Sequence, residues 1–187
     1  MSRGKLVVIS APSGAGKTSI ARSVLLAHPA FTYSVSATTR PRRPEEEHGR
    51  DYIFLTRDEF LRRVAAGEFV EWEEIYGDYY GTLKKEVERA LDAGRHVLFD
   101  IDVKGGLSIK RHYPEACLIF IRPPSEEILL ERLRKRKTED QNAIARRMER
   151  VPMELELGGS FAHRVVNDTL DRAIAEVEKI VASYLMN

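Results

Sequence analysis

The sequence predicts an α/β fold of three layers: a mostly parallel central sheet with helices covering both faces. Three observations carry this. Short apolar runs alternate with helix-patterned stretches, the order that joins parallel strands through crossover helices. The first run, Leu6-Val7-Val8-Ile9, passes through a turn of small residues directly into a helical pattern. Residues 33–82 then interrupt the alternation with short, aromatic-rich strands, the mark of an inserted mixed α+β segment.

Taken in order, the core strands are expected at Leu6–Ser10, His96–Asp100, Leu118–Ile121 and Val165–Val166. Helical patterns run over Lys17–Ala27, Leu83–Ala93, Val103–His112, Ser125–Arg136, Gln141–Leu155 and Leu170–Leu185. Glu126 and Glu127 suit a helix's first turn, although Ile128 denies Ser125 a full capping box. Asp168 or Thr169 can cap the last helix. Within the insertion, strands are expected at Tyr33–Ser36, Asp51–Leu55, Phe69–Trp72 and Asp78–Tyr80, with a helix over Arg57–Ala66 ending near Gly67. Ligands of open parallel sheets sit beyond the carboxyl ends of the strands, so an insertion rooted there overhangs the site.

The 187 residues fit one domain, and a 43% hydrophobic content suffices for a proper core. Thirty basic residues against 29 acidic ones leave a net charge of +1, which argues against nucleic acid as the main partner. The single cysteine, Cys117, lies in an apolar run and reads as a buried thiol. The N-terminal apolar run is far shorter than a signal peptide's core, and no stretch approaches a membrane span. The expectation is a soluble cytoplasmic protein that does not engage a membrane.

The turn reads Ala11-Pro12-Ser13-Gly14-Ala15-Gly16-Lys17-Thr18, a P-loop in its strand–turn–helix setting. Small residues let backbone N–H groups converge on an anion, and the helix N-terminus favours negative charge. Lys17 is placed to reach β and γ phosphates and Thr18 to ligate Mg²⁺. Ala11 stands where the first glycine of the motif belongs, so the backbone there must avoid glycine-only conformations.

A P-loop specifies nucleotide, not reaction. Phosphoryl transfer needs positive charge around the moving group, and arginines recur in three places: Arg40 with Arg43, Arg132 with Arg136, and Arg146 with Arg147. Arg132 and Arg136 share a helix face at i,i+4. The run Arg132–Lys137 holds five basic residues in six, so some of them serve solubility. Asp100 and Asp102 end an apolar run and point the same way from an extended chain. They have two readings, a Mg²⁺ site near the P-loop and the cap of the following helix.

Together these residues match a family. The chain closely resembles guanylate kinase over nearly its whole length, from about Lys5 to the last helix. The carrying motifs are Ser13–Lys17, Ser34–Arg40, Gly49–Tyr52, Glu68–Trp72, Tyr79–Thr82, Asp100–Gly105 and Val166–Asp168. The resemblance implies transfer of the γ-phosphoryl of ATP to GMP, with dGMP as a further acceptor. It implies a core of residues 1–32 and 83–187, a GMP-binding insertion over 33–82 and a helical lid over about 122–155. It places Ser36, Arg40, Arg43, Tyr52, Glu71, Tyr80, Thr82 and Asp102 at the GMP site. The residue types agree. Guanine's N1–H and 2-amino donors suit a carboxylate such as Glu71, hydroxyls of Ser36 and Thr82 suit the remaining polar atoms, and arginines and tyrosines suit the monophosphate. By the same resemblance Lys17, Arg40, Arg132, Arg136 and Arg147 neutralise the transferring phosphates, residues 11–18 hold ATP, and Thr18 and Asp100 hold Mg²⁺. Asn167 and Asp168 match a motif near the adenine, and equally read as a turn and helix cap.

Thr82 stands where the family often has Ser, Lys137 where it often has Gly and Lys104 where it often has Gln. A competing reading is a non-catalytic guanylate-kinase-like interaction domain. It predicts a degraded P-loop, whereas Lys17, Thr18, Asp100 and the lid arginines are all present. A kinase for another small phosphate acceptor is the alternative among enzymes, and Glu71 with Ser36 and Thr82 favours guanine over it.

Overall fold

The structure, a computed structural model, describes residues 3–135 and 141–186. The chain runs β1 (Leu6–Ser10), α1 (Lys17–Ala27), β2 (Phe31–Tyr33), β3 (Ala37–Thr38), β4 (Ile53–Phe54), α2 (Arg57–Ala65), β5 (Phe69–Ile75) and β6 (Asp78–Leu83). It continues through α3 (Lys84–Asp92), β7 (His96–Asp100), α4 (Val103–His112), β8 (Cys117–Arg122), α5 (Glu126–Lys135), α6 (Gln141–Gly158), β9 (His163–Val166) and α7 (Leu170–Met186).

The central sheet has the order β2-β7-β1-β8-β9, and every pairing in it is parallel. β1 lies in the middle with all five residues buried, as a continuous apolar run in a two-sided sheet requires. Its side chains alternate between two cores. Val7 and Ile9 pack with Ile20 and Val24 of α1 and Val177 and Val181 of α7. Leu6 and Val8 pack with Val87 and Leu91 of α3 and Val103 and Ile109 of α4. The register pairs Ile9 with Asp100, which sets the end of β7 beside the turn that leaves β1.

The second sheet has the order β4-β3-β6-β5, with β5 and β6 as an antiparallel hairpin. Its core stacks Phe60 of α2 on Phe69 at 4.4 Å and on Tyr79 at 5.4 Å between ring centroids. Thr56 caps α2 by accepting the Glu59 N–H. At the hairpin tip both Tyr76 (φ 54°) and Gly77 (φ 90°) are left-handed, the conformation that a two-residue hairpin turn demands.

Several expectations shift. The run Tyr33–Ser36, expected as one strand, spans a crossing between sheets: β2 ends at Tyr33 on the edge of the central sheet and β3 begins at Ala37. Ser34 still donates its N–H to the Leu98 carbonyl at 2.9 Å before the chain departs. β5 and β6 extend to Ile75 and Leu83, so α3 starts one residue later than expected. α6 runs through Pro152 to Gly158 instead of ending at Leu155. Buried Val151 and Glu154 and packing against α4 and α5 override the proline's local cost. Ser125 caps α5 by accepting the Ile128 N–H at 3.3 Å, half of the box that the sequence denied it. Among the described residues no helix is long and apolar enough to cross a membrane.

Candidate functional site

The turn after β1 closes with Ala15 donating to the Pro12 carbonyl at 3.0 Å, and α1 starts directly at Lys17. Gly14 (φ 92°) and Gly16 (φ 94°) are left-handed, which only glycine adopts cheaply. At Gly16 a Cβ would also lie 2.3 Å from Asn167 Nδ2, so the position is closed twice to larger residues. Ala11 needs no such freedom: Tyr76 is the one non-glycine with positive φ among the described residues.

Lys17 and Thr18 converge on the end of β7. Lys17 Nζ lies 2.9 Å from Asp100 Oδ1 and donates to the Ile101 carbonyl at 3.0 Å, and Thr18 Oγ1 donates to Asp100 Oδ2 at 2.8 Å. A hydroxyl and a carboxylate on adjacent elements are hard oxygen donors of the kind Mg²⁺ takes alongside water and phosphate. Among the described residues no group of three or more His, Cys, Asp or Glu forms a self-sufficient metal site. The donor set therefore fits an ion shared with nucleotide phosphates and not an all-protein cage.

Asp102 realises the capping alternative without leaving the cleft. It is the N-cap of α4, accepting the Gly105 N–H at 2.8 Å, and it lines a cavity of about 440 Å³ with the P-loop, Tyr52, Tyr80, Arg147 and Arg150. A Cβ on Gly105 would meet Glu71 Oε2 at 3.0 Å and Asp102 Oδ1 at 3.5 Å, so the two carboxylates converge there. Glu71 is 8% exposed and its Oε1 accepts the buried Thr82 hydroxyl at 2.6 Å, directly across the β5–β6 ladder. Burial pushes the Glu71 carboxyl up to about 7, against the Thr82 bond that favours its charged form. Burial also opposes charge on Asp102, but hydrogen bonds from Glu73 and the Gly105 N–H, with the Lys17 and Arg150 charges, hold it below the usual carboxylate range.

Arg40, Tyr52 and Tyr80 gather beside this pocket. The guanidinium of Arg40 sits 5.4 Å above the Tyr52 ring, and Tyr52 meets Tyr80 edge-on at 6.3 Å. Arg40 is held by Glu46 Oε1 at 2.7 Å, a partner that the sequence reading missed. The other Glu46 oxygen accepts the Arg43 backbone N–H at 2.9 Å, while the Arg43 side chain is exposed. Ser36, Glu46 and Tyr52 line a second cavity, of about 510 Å³, with Lys17, Thr18 and Asp100.

Arg147 Nη1 donates to Ser13 Oγ at 2.5 Å, and Arg132 donates to the Asn167 carbonyl at 3.0 Å. Arg136 lies outside the described residues, as does Lys137. Asn167 is 4% exposed and donates to the Ala15 carbonyl at 2.7 Å, so its amide braces the P-loop. Asp168 is exposed, accepts the Thr169 N–H at 2.6 Å and pairs with Arg172 at 2.5 Å, the turn-and-cap alternative. The sequence reading also missed Glu73, Arg150 and Glu154, which join the cleft's wall from β5 and α6. No spacing links β5 to α6, so no local pattern reveals them. A larger hollow of about 670 Å³ lies by α3 and β2, but its arginines are engaged: Arg63 with Glu59, Arg89 with Glu86 and Arg95 with the Phe31 carbonyl.

A parallel sheet with a P-loop at its carboxyl edge, faced by a second sheet with buried carboxylates, defines a nucleotide-phosphate-binding α/β protein with room for a second ligand. Comparison with known proteins makes this specific. The guanylate kinase family model matches residues 3–184. A guanylate kinase of Gloeobacter violaceus is 49% identical over 177 residues, 95% of this chain and 86% of the relative. One from Symbiobacterium thermophilum is 44% identical over 179 residues, 96% of this chain and 85% of the relative. The crystal structure of guanylate kinase from Anaplasma phagocytophilum superposes with a TM-score of 0.78 at 30% identity, covering 100% of this chain and 89% of that one. The chain belongs to the guanylate kinase family.

Proposed function

We propose a division of labour in the cleft for the family's reaction. The chain is a guanylate kinase: it moves the γ-phosphoryl group of ATP to GMP, giving ADP and GDP. In the proposed arrangement residues 11–18 hold the ATP phosphates through backbone N–H groups and Lys17, with Asn167 bracing the loop and Asp168 beside it. Thr18 and Asp100 hold Mg²⁺, which when bound neutralises phosphate charge. The segment of the second sheet is the GMP lobe, and α5 and α6 form the lid.

Glu71 accepts guanine's N1–H and one 2-amino hydrogen, Asp102 takes the remaining amino hydrogen, and Ser36 and Thr82 serve the other polar atoms. Adenine has no such pair of donors on that edge. Arg40, Arg43, Tyr52 and Tyr80 hold the GMP phosphate. A GMP phosphate oxygen then attacks the γ-phosphorus in line, with Lys17, Arg40, Arg132, Arg136 and Arg147 stabilising the spread charge. No general base is required, because the monophosphate is already ionised. Glu46 pairs with Arg40 and Asp100 with Lys17, which holds both cations in place at the cleft.

The observation that carries this reading is the buried Glu71, bonded to Thr82 and converging with Asp102 beside the P-loop cleft. Its test is Glu71→Gln assayed by coupled ADP release. Loss of two charge-assisted hydrogen bonds should raise the KM for GMP about 100-fold while the KM for ATP stays within threefold. Equal losses for both nucleotides would remove Glu71 from the guanine site.

A further inference from the structure

A third carboxylate stands beside Glu71 and Asp102. Glu73 follows Glu71 by two residues on β5, so both leave the strand on one face. Its side chain is 15% exposed, and its Oε1 lies 3.2 Å from Arg150 Nη2 and 3.4 Å from Lys104 Nζ. Its Oε2 is buried against Asp102. Arg150 comes from α6, where its Nε also approaches Glu154 at 3.6 Å. One turn earlier on α6, Arg146 lies over the Tyr76 ring at 5.8 Å. α6 therefore touches the β5–β6 hairpin at two points four residues apart, on one face of the helix. Between those points, Arg147 reaches the P-loop through Ser13.

We propose that the Glu73–Arg150 hydrogen bond is a strut that couples the base pocket to the placement of Arg147, with Glu73 and Arg150 as positioning residues. The proposal rests on assigning Glu71 and Asp102 to guanine and Arg147 to the phosphates. A base seated against Glu71 and Asp102 fixes β5, β5 fixes Arg150 through Glu73, and the same helix turn carries Arg147 over the loop. Displacing a charge-stabilising group by about 1 Å costs on the order of 100-fold in rate, so a strut that sets that distance acts on turnover more than on affinity. Lys104 still faces Glu73 and Glu154 still faces Arg150 when the other partner is removed, so each removal loses chiefly the shared contact, and the effects of the two removals overlap.

The test is a double-mutant cycle on the full chain with Glu73→Leu and Arg150→Met, which remove the hydrogen bond and keep side-chain bulk, reading kcat, both KM values and melting temperature. Each single variant should lower kcat about 10-fold with the KM for GMP within threefold, and the double variant should be no slower than the worse single one. Arg150→Lys should recover part of the loss. Arg146→Met, at an exposed position on the second contact, should lower kcat about threefold and serves as the readout if the buried variants fold poorly. Unchanged kcat in the folded variants, or strictly multiplicative losses, overturns the strut. Glu71→Gln in the same assay separates the two ideas. If its KM for GMP does not rise, the base-pocket assignment fails; if it rises while the cycle is multiplicative, the strut alone fails.

Discussion

The proposed donor and acceptor halves of the cleft are built in different ways. The donor half is a contiguous stretch: residues 11–18 bend on two left-handed glycines between β1 and α1, and Asp100, Ile101, Asn167 and Arg147 reach it from elsewhere. The acceptor half has no contiguous core. Glu71 and Thr82 meet across a hairpin, Asp102 arrives from the cap of α4, and Arg40 is held by a loop carboxylate six residues on. Backbone amides read phosphate, which all nucleotides share, and a short loop supplies them. Side chains on a framework of distant strands read the base, and a framework of that kind is needed to bury a carboxylate without collapsing the pocket around it.

That contrast sets the order of the predictions. Lys17→Ala should cost on the order of 10³-fold in kcat while circular dichroism stays native, because its proposed role is to neutralise transferring charge and Thr18 still donates to Asp100 when the lysine is removed. Retained turnover would break the donor-side account. On the acceptor side, GMP recognition should depend on pH through Glu71, whose carboxyl burial pushes up to about 7. Below that value the group carries a proton and cannot accept both guanine donors. The apparent KM for GMP should therefore rise as pH falls from 7 to 5, and the rise should be smaller in Glu71→Gln, where only the GMP phosphate, with its pKa of about 6, still titrates. A pH-independent wild-type KM would contradict it.

The same carboxyl affects stability with a definite sign. Its folded pKa lies above its unfolded one, so it favours the fold most below about 4.5, and that contribution is lost as pH rises through 7. Replacing it with neutral Gln should raise the melting temperature at pH 8, by up to about 3 kcal/mol of stability, and not at pH 4. The smallest effect belongs to the loop. Gly16→Ala meets both a left-handed backbone and Asn167, and should destabilise the protein by about 1–3 kcal/mol in chemical denaturation. No change in midpoint would show that the loop relaxes.

The contrast also explains what was legible in the sequence. β1, α1, β7 and α4 carry the boundaries expected of them, because each pairs a clear period with a local stop such as Gly16 or Asp102. The stretch Tyr33–Ser36 was misread because alternation is unchanged when a chain passes from one sheet to another. Pro152 stays inside α6 because packing, which no local window contains, outweighs propensity. At the site, the P-loop and the Asp100 and Asp102 pair were visible from local pattern, whereas Glu71 and the placing of Asp102 at GMP came by family resemblance. Glu46, Glu73 and Arg150 were invisible: an ion pair between residues 73 and 150 leaves no trace in either segment.

The central claim is that donor and acceptor functions are separable. The most direct measurement is the ratio of kcat/KM for GMP to that for AMP, by coupled ADP release, in wild type, Lys17→Ala and Glu71→Gln. The account predicts that Lys17→Ala slows both acceptors and keeps the ratio, while Glu71→Gln lowers the ratio about 100-fold. A ratio that survives Glu71→Gln, or that falls in Lys17→Ala, would contradict it.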